Sequence, residues 1–263
     1  MRTLLITLCK NEIDILPFVS QYWERIGCDV VVYDNGSTDG SLQYLLNLPY
    51  VMVRHFDSDG QNDVIQKTIK EKAYLEFRNK YDIIIISDMD EVFWFNDFEA
   101  VSEAFVNEGY NVLLTPIFSL CEDSKPPYSK DKLLHQQCHK FYKQRMNHMR
   151  GLSDYSKLSI FNCMRTEKVN MSVGQHFVQT EPEMKILLAN NAFCLHIDKG
   201  FGIDYKFKIR QKMNDNLSLT NKRGGMCTEY GDSYEKLKAE YEDNQAKSFD
   251  INLTHVCEKK KES

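Results

Sequence analysis

The sequence is short of nearly everything that would set it apart from ordinary globular proteins. Of its 263 residues only 12 are glycine and 6 are proline, too few for a collagen-like or low-complexity chain. No apolar run approaches the roughly 20 residues that a bilayer-spanning helix needs, so any membrane contact is expected to be peripheral or through a partner. Positive charge is not in excess. With 33 Lys and Arg against 38 Asp and Glu the formal charge is -5, which predicts no general affinity for nucleic acid while leaving room for local basic patches. The eight cysteines, Cys9, Cys28, Cys121, Cys138, Cys163, Cys194, Cys227 and Cys257, include no closely spaced pair of the zinc or redox kind. They read as buried or incidental thiols of a reducing cytoplasm. The apolar segment Leu4 to Cys9 runs straight into Lys10, Asn11 and Glu12 with no small-residue cleavage site, so it reads as a strand rather than a secretory leader. What remains is a chain, 42% hydrophobic and 27% charged, able to bury about three quarters of its unfolded surface as one large domain or two closely joined halves.

Strand and helix alternate from the start. Thr3–Cys9 is a strand; Ile13, Leu16, Val19, Trp23 and Ile26 then recur on one helical face that Gly27 ends. Asp29–Tyr33 is a second strand, Leu42–Leu46 a short helix, and Val51–Phe56 a third strand. Ile65, Ile69, Ala73 and Phe77 mark a long helix leading to Ile83-Ile84-Ile85-Ile86, four β-branched residues that predict a central strand buried on both faces. Further on, a helix is expected over Phe98–Phe105 and a strand over Asn111–Phe118, which Pro116 should push to an edge or a bulge. Leu158–Phe161 and Ala192–Ile197 read as strands and Tyr205–Met213 as a basic helix; Tyr234, Leu237 and Tyr241 share one face of a docked C-terminal helix. This order implies an α/β, doubly wound, mostly parallel sheet, with Asn11, Asp34 and Asp88 at one carboxyl edge.

The isoleucine strand ends in Asp88-Met89-Asp90-Glu91. Side chains alternate along extended chain, so Asp88 and Asp90 would lie on one side, two hard oxygen ligands where open α/β sheets bind their ligands. The plainer alternative is that acids gather wherever a buried strand meets water. The runs beginning at Asp34 and Asp57 look like calcium loops, but neither carries a Glu at its twelfth position.

Taken together, Asn11-Glu12, the run Asp34-Asn35-Gly36-Ser37-Thr38-Asp39-Gly40-Ser41, Gly60-Gln61-Asn62 and Asp88-Met89-Asp90-Glu91 resemble, in order, the donor half of glycosyltransferase family 2 and its relatives with the GT-A fold. The resemblance implies a GT-A, Rossmann-like domain with residues 1–118 as the nucleotide-sugar half, 119–227 as the acceptor and catalytic half, and 228–263 as a C-terminal helix and tail. It further implies a nucleotide-diphosphate sugar donor contacted by Asn11, Glu12, Asp34, Asp39, Gln61 and Asp88, and Mn²⁺ or Mg²⁺ held by Asp88 and Asp90. His196 resembles a late histidine that binds metal or phosphate; His176 is a weaker case, and Lys157 a fainter echo still. Asn11 and Glu12 could equally be helix caps. Lys206 and Arg210, one helical turn apart, could grip phosphate.

Inversion at the sugar carbon needs a carboxylate base, for which Asp154, Glu91 and Glu181 are the candidates in that order. The expected acceptor is a glycan or lipid-linked glycan of surface polysaccharide or lipopolysaccharide synthesis, handled in the cytoplasm or at the inner face of the membrane. The basic residues Lys140, Lys143, Arg145 and Arg150 would suit an anionic acceptor, although charge runs usually face water. Two rivals remain: a haloacid dehalogenase-type phosphohydrolase with Asp88 as nucleophile, and a noncatalytic nucleotide-sugar-binding module. Phosphate release from phosphomonoesters would mark the first; failure to hydrolyse any donor would mark the second.

Overall fold

The computed structural model describes residues 1–122, 128–138, 140–143, 156–175, 177–189, 191–197 and 200–248, with only the backbone at 156 and 157. In chain order the elements are β1 (Thr3–Cys9), α1 (Leu16–Ile26), β2 (Asp29–Asp34), α2 (Ser41–Leu46), β3 (Val51–His55), α3 (Asp63–Phe77), β4 (Ile83–Ile86), β5 (Glu91–Phe95), α4 (Phe98–Asn107) and β6 (Val112–Leu120). There follow β7 (Phe141–Lys143), β8 (Ser156–Asn162), β9 (Lys168–Met171), β10 (Val178–Glu181), β11 (Ile186–Leu188), β12 (Ala192–His196), α5 (Ile203–Asp215), α6 (Leu219–Gly224) and α7 (Tyr234–Ala246).

Among the described residues one mixed sheet runs in the order β3-β2-β1-β4-β8-β6-β12-β5, with β7 and β11 also on β6; β9 and β10 pair separately. Strands β1 to β4 are parallel, so their carboxyl ends meet along one edge. The two halves expected from sequence share this sheet, because β8 inserts antiparallel between β4 and β6.

The isoleucines explain the centre. Ile83 and Ile85 join the core layer that holds Leu16, Val19 and Trp23 of α1, whereas Ile84 and Ile86 face Ala73, Tyr74 and Phe77 of α3. All four are fully buried. Each full burial of such a side chain stabilises by about 1.5–3 kcal/mol, and the period-two alternation lets one short strand serve both layers. Helix α1 carries Pro17 in its first turn and stops at Gly27, whose φ of 69° lets its N–H return to the Trp23 carbonyl.

Pro116 lies in the sheet interior, not at an edge. Beside β6, β11 covers Val112 to Leu114 and β12 begins at Ile117, so on that side the proline falls between two partner strands, where a missing N–H breaks no ladder. A register irregularity is present, but it lies before the proline, between Leu113 and Leu114. Strand β5 was not expected from sequence, although Val92 to Phe95, β-branched and aromatic and all buried, form a continuous apolar run like that of β4. Helix α7 docks through Leu237 and Tyr241 on Cys121. Six of the seven described cysteines are buried and none of the seven is in a disulfide; no helix among the described residues is long and apolar enough to cross a membrane.

Candidate functional site

A cleft of about 1030 Å³ opens at the carboxyl edge of β1, β2 and β4, and is lined by Asn11, Glu12, Gln61, Asp88, Asp90, Glu91, His196, Lys206 and Arg210. A second hollow of about 790 Å³ lies at the opposite edge, against Thr3, Gly27 and Asp82, and gathers none of the motif residues. Chemistry-bearing groups therefore converge on the first.

Its floor is the turn after β4. The strand ends at Ile86, and residues 88–91 form a turn closed by the Glu91 N–H on the Asp88 carbonyl at 3.2 Å. The alternation expected of extended chain therefore does not operate here, and the two aspartates go to different partners. Asp88 Oδ1 accepts from Lys70 Nζ at 2.5 Å, while Asp90 Oδ2 lies 3.1 Å from His196 Nε2. His196 arrives because β12 runs antiparallel to β5 with His196 opposite Glu91, and the Ile197 N–H bonds the Asp90 carbonyl at 2.8 Å. Glu91 is buried, and its Oε2 accepts the Asp88 N–H at 3.2 Å, which braces the turn.

The loop after β2 is wired differently. Asp39 accepts from the Ser41 N–H and hydroxyl and from the Ile13 N–H. Burial pushes its carboxyl up, but these hydrogen bonds outweigh burial and hold it below its ordinary range. Asn11 has φ 60°, and its side-chain oxygen takes the Thr38 N–H at 2.7 Å, while Lys10 Nζ donates to the Asn35 and Gly36 carbonyls. Asn11 and Glu12 are not helix caps: α1 starts at Leu16 behind Ile15, and no side chain caps it. Asp34 is the exception in this loop. One carboxylate oxygen holds the Ser37 N–H at 3.0 Å; the other is buried with no hydrogen-bond partner.

The Gly60-Gln61-Asn62 segment is a junction. Gln61 exchanges backbone hydrogen bonds with Asn216 and Ser218, and a Cβ on Gly60, at φ 91°, would come within 2.0 Å of the Asn216 carbonyl oxygen. Asn62 caps α3 by accepting the Ile65 N–H. The glycine is what lets the α5–α6 connection approach and form the cleft's far wall.

That wall holds Lys206 and Arg210. Arg210 is 9% exposed and bridges to Glu240 of α7 at 3.5 Å through Nη2, but its Nε and Nη1 are buried with no hydrogen-bond partner. Two unmet guanidinium donors beside a cleft favour an anion. Across from them, burial pushes the Glu12 carboxyl up to about 8, helped by the charges of Asp90 and Asp39 and opposed by Lys206.

The remaining candidates lie elsewhere. Glu181 sits on β10, outside the cleft, in an exposed pair with Lys168 at 3.1 Å. Neither Asp34 nor Asp39 lines the cleft. Asp154, His176, Arg145 and Arg150 and the side chain of Lys157 fall outside the described residues. Sequence reading missed Lys70 and Gln175, both in the cleft wall. Lys70 had a usable signal: with Ala73, Tyr74 and Phe77 it forms the buried stripe of α3.

Among the described residues no three His, Cys, Asp or Glu side chains are arranged to hold a metal by themselves. Asp90 with His196, and Asp88 two residues away, nevertheless suit Mg²⁺ or Mn²⁺, which protein sites commonly take through one or two carboxylates plus substrate phosphates.

No protein-family model and no curated protein sequence matches the chain. Among solved structures, S. aureus TarS 1–349 in complex with UDP is similar with a TM-score of 0.44 at 13% identity, over 82% of this chain and 65% of that one. The same fragment in complex with UDP-GlcNAc gives 0.40 at 13% identity, over 93% and 72%. This chain thus spans 65% of the length of the first of these structures, and at this level the likeness is one of general arrangement.

Proposed function

We propose that the chain is a glycosyltransferase that binds a nucleotide-diphosphate sugar in the carboxyl-edge cleft and passes the sugar to a hydroxyl of a glycan acceptor. One observation carries this reading: a single cleft combines the carboxylates Asp88 and Asp90 with Arg210, a buried guanidinium that has two donors unmet. A ligand with an anionic diphosphate and an accompanying cation satisfies both sides at once. Arg210 and Lys206 bind the diphosphate from the α5 side. Asp90 with His196, and Asp88 beside them, would hold Mn²⁺ or Mg²⁺ together with the diphosphate's own oxygens, and the cation would supply Lewis-acid neutralisation of the departing diphosphate. Glu91, buried and occupied by a backbone N–H, serves the turn rather than the acceptor hydroxyl.

The finer reading, also proposed here, is an inverting transfer in surface polysaccharide synthesis, with a lipid-linked or other glycan as acceptor. The test is a thermal-shift panel of UDP, GDP and ADP with and without Mn²⁺, followed by donor hydrolysis. One nucleotide diphosphate should raise the melting temperature by mass action, and more so with Mn²⁺. A flat response to every nucleotide, or parental turnover in Asp90→Asn, sinks the reading.

A further inference from the structure

Lys70 is the most deeply enclosed lysine at the cleft, 5% exposed on the face of α3 that packs against the sheet. A lysine in that position is unfavourable unless its ammonium is matched. Here it is matched twice, by Asp88 Oδ1 at 2.5 Å and by Gln175 Oε1 at 3.1 Å. Gln175 is itself built in. Its Nε2 donates to the Ile86 carbonyl at 2.8 Å and to Ser159 Oγ at 3.2 Å, which turns the amide oxygen toward Lys70. To reach that place its backbone takes φ 55°, a conformation side chains rarely adopt, directly after Gly174 at φ 71°. The chain thus commits a strained residue, the end of β4, the middle of β8 and a buried amide to orienting one ammonium group at Asp88.

Asp88 is half-exposed, with its side chain at 42%, so solvent alone could satisfy it and the lysine is not needed to offset a buried charge. The pairing has another consequence. An ammonium group on Asp88 repels a divalent cation approaching the same carboxylate and competes for its oxygens. A diphosphate changes both conditions, since its oxygens complete the cation's coordination and also offer the ammonium a new acceptor.

We propose that Lys70 couples cation capture to donor binding: it occupies Asp88 in the nucleotide-free protein, so that the divalent cation enters together with the nucleotide diphosphate. This rests on the glycosyltransferase reading above and adds to it a residue and a binding order. Lys70 is a positioning residue in this account. By linkage the coupling is reciprocal, and the nucleotide tightens the cation by the same factor as the cation tightens the nucleotide.

The experiment measures Mn²⁺ affinity by electron paramagnetic resonance, with and without saturating UDP or GDP, in the parental chain and in Lys70→Gln. The parental protein should bind Mn²⁺ far more tightly with nucleotide than without. In Lys70→Gln the nucleotide-free affinity should rise by about tenfold while the nucleotide-bound affinity changes little, so the coupling factor falls by about tenfold. A positive charge acting only as general electrostatic background would move both affinities alike; an unchanged coupling factor therefore overturns the proposal. Lys70→Met, which keeps the aliphatic stem, supplies the same measurement if the glutamine variant does not fold. Gln175→Leu, with the ammonium retained but no longer oriented, should lower the coupling in the same direction. If Mn²⁺ and nucleotide bind to neither protein, the functional reading falls along with the role of Lys70; if both bind and only the coupling is insensitive, Lys70 alone loses its role.

Discussion

The loop after β2 carries Asp34 and Asp39, the turn after β4 carries Asp88 and Asp90, and both stand at the same sheet edge. In the first, Asp39 is consumed by Ser41 of its own loop and by the Ile13 N–H of the adjoining loop after β1, from which Asn11 and Lys10 close the rest. In the second, both aspartates reach partners far along the chain, Lys70 in α3 and His196 at the end of β12. An acid whose hydrogen bonds are met by a hydroxyl and backbone N–H groups of two adjoining loops ties those loops together; an acid met by charged side chains from a helix or another strand marks where those elements converge on a ligand. Motif resemblance weighs Asp39 and Asp90 alike. Their partners do not.

The contrast can be broken most sharply at Asp90. Asp90→Asn should lower transfer or donor hydrolysis in the presence of Mn²⁺ by about 10²–10³, read as kcat/KM, because a carboxylate that would hold the cation against the departing diphosphate is lost. Arg210→Met should weaken nucleotide-diphosphate binding by about tenfold to a hundredfold, the range expected of hydrogen bonds to charged groups. The same change should leave the melting temperature of the free protein level or raised, because two of the lost nitrogens make no internal hydrogen bond. Calorimetry on both proteins checks the pair; a lower melting temperature with unaltered binding would make Arg210 a structural residue.

Asp39→Ala should show the reverse pattern, a loss of about 1–2 kcal/mol in a denaturant melt with nucleotide affinity nearly kept. If Asp39→Ala instead abolishes binding while the fold is undiminished, the distinction between an acid that ties loops together and one that faces a ligand fails. Glu12 lies where the two regions meet, its N–H on Ser41 Oγ and its carboxyl facing Asp90. With that carboxyl pushed up to about 8 from 4.5, the folded protein holds a proton the unfolded chain releases. Stability is therefore fully present below about pH 4.5 and declines as pH rises through 8. Glu12→Gln should flatten that decline, seen as a smaller difference between urea midpoints measured at about pH 5 and about pH 8.

The polar residues of the site were legible in unequal measure. Asn11, Asp34, Asp88 and Asp90 could be placed at one edge because consecutive parallel strands leave no other arrangement for the loops between them. Lys70 was overlooked because helical periodicity is conventionally read in apolar residues, and a lysine on the buried face looks like an interruption of the stripe. Gln175 had no local signal at all, since its importance comes from Ile86 and Ser159, on strands that meet only in the sheet. Glu181 looked plausible as a base by type and region, but pairing of β9 with β10 carries it out to Lys168.

Sequence by itself determined the order of the first four strands, the central place of the isoleucine strand and the edge at which the acids gather. These follow from alternation, helical period and chain connectivity, which are short-range properties. Tertiary structure alone decided which acid meets which partner: that β8 would insert beside β4, that β12 would run against β5 and bring His196 to Asp90, and that Lys70 would take Asp88. Those pairings join residues 18 to 106 positions apart, and their free energy comes from burial and charge compensation that exist only once the sheet has closed.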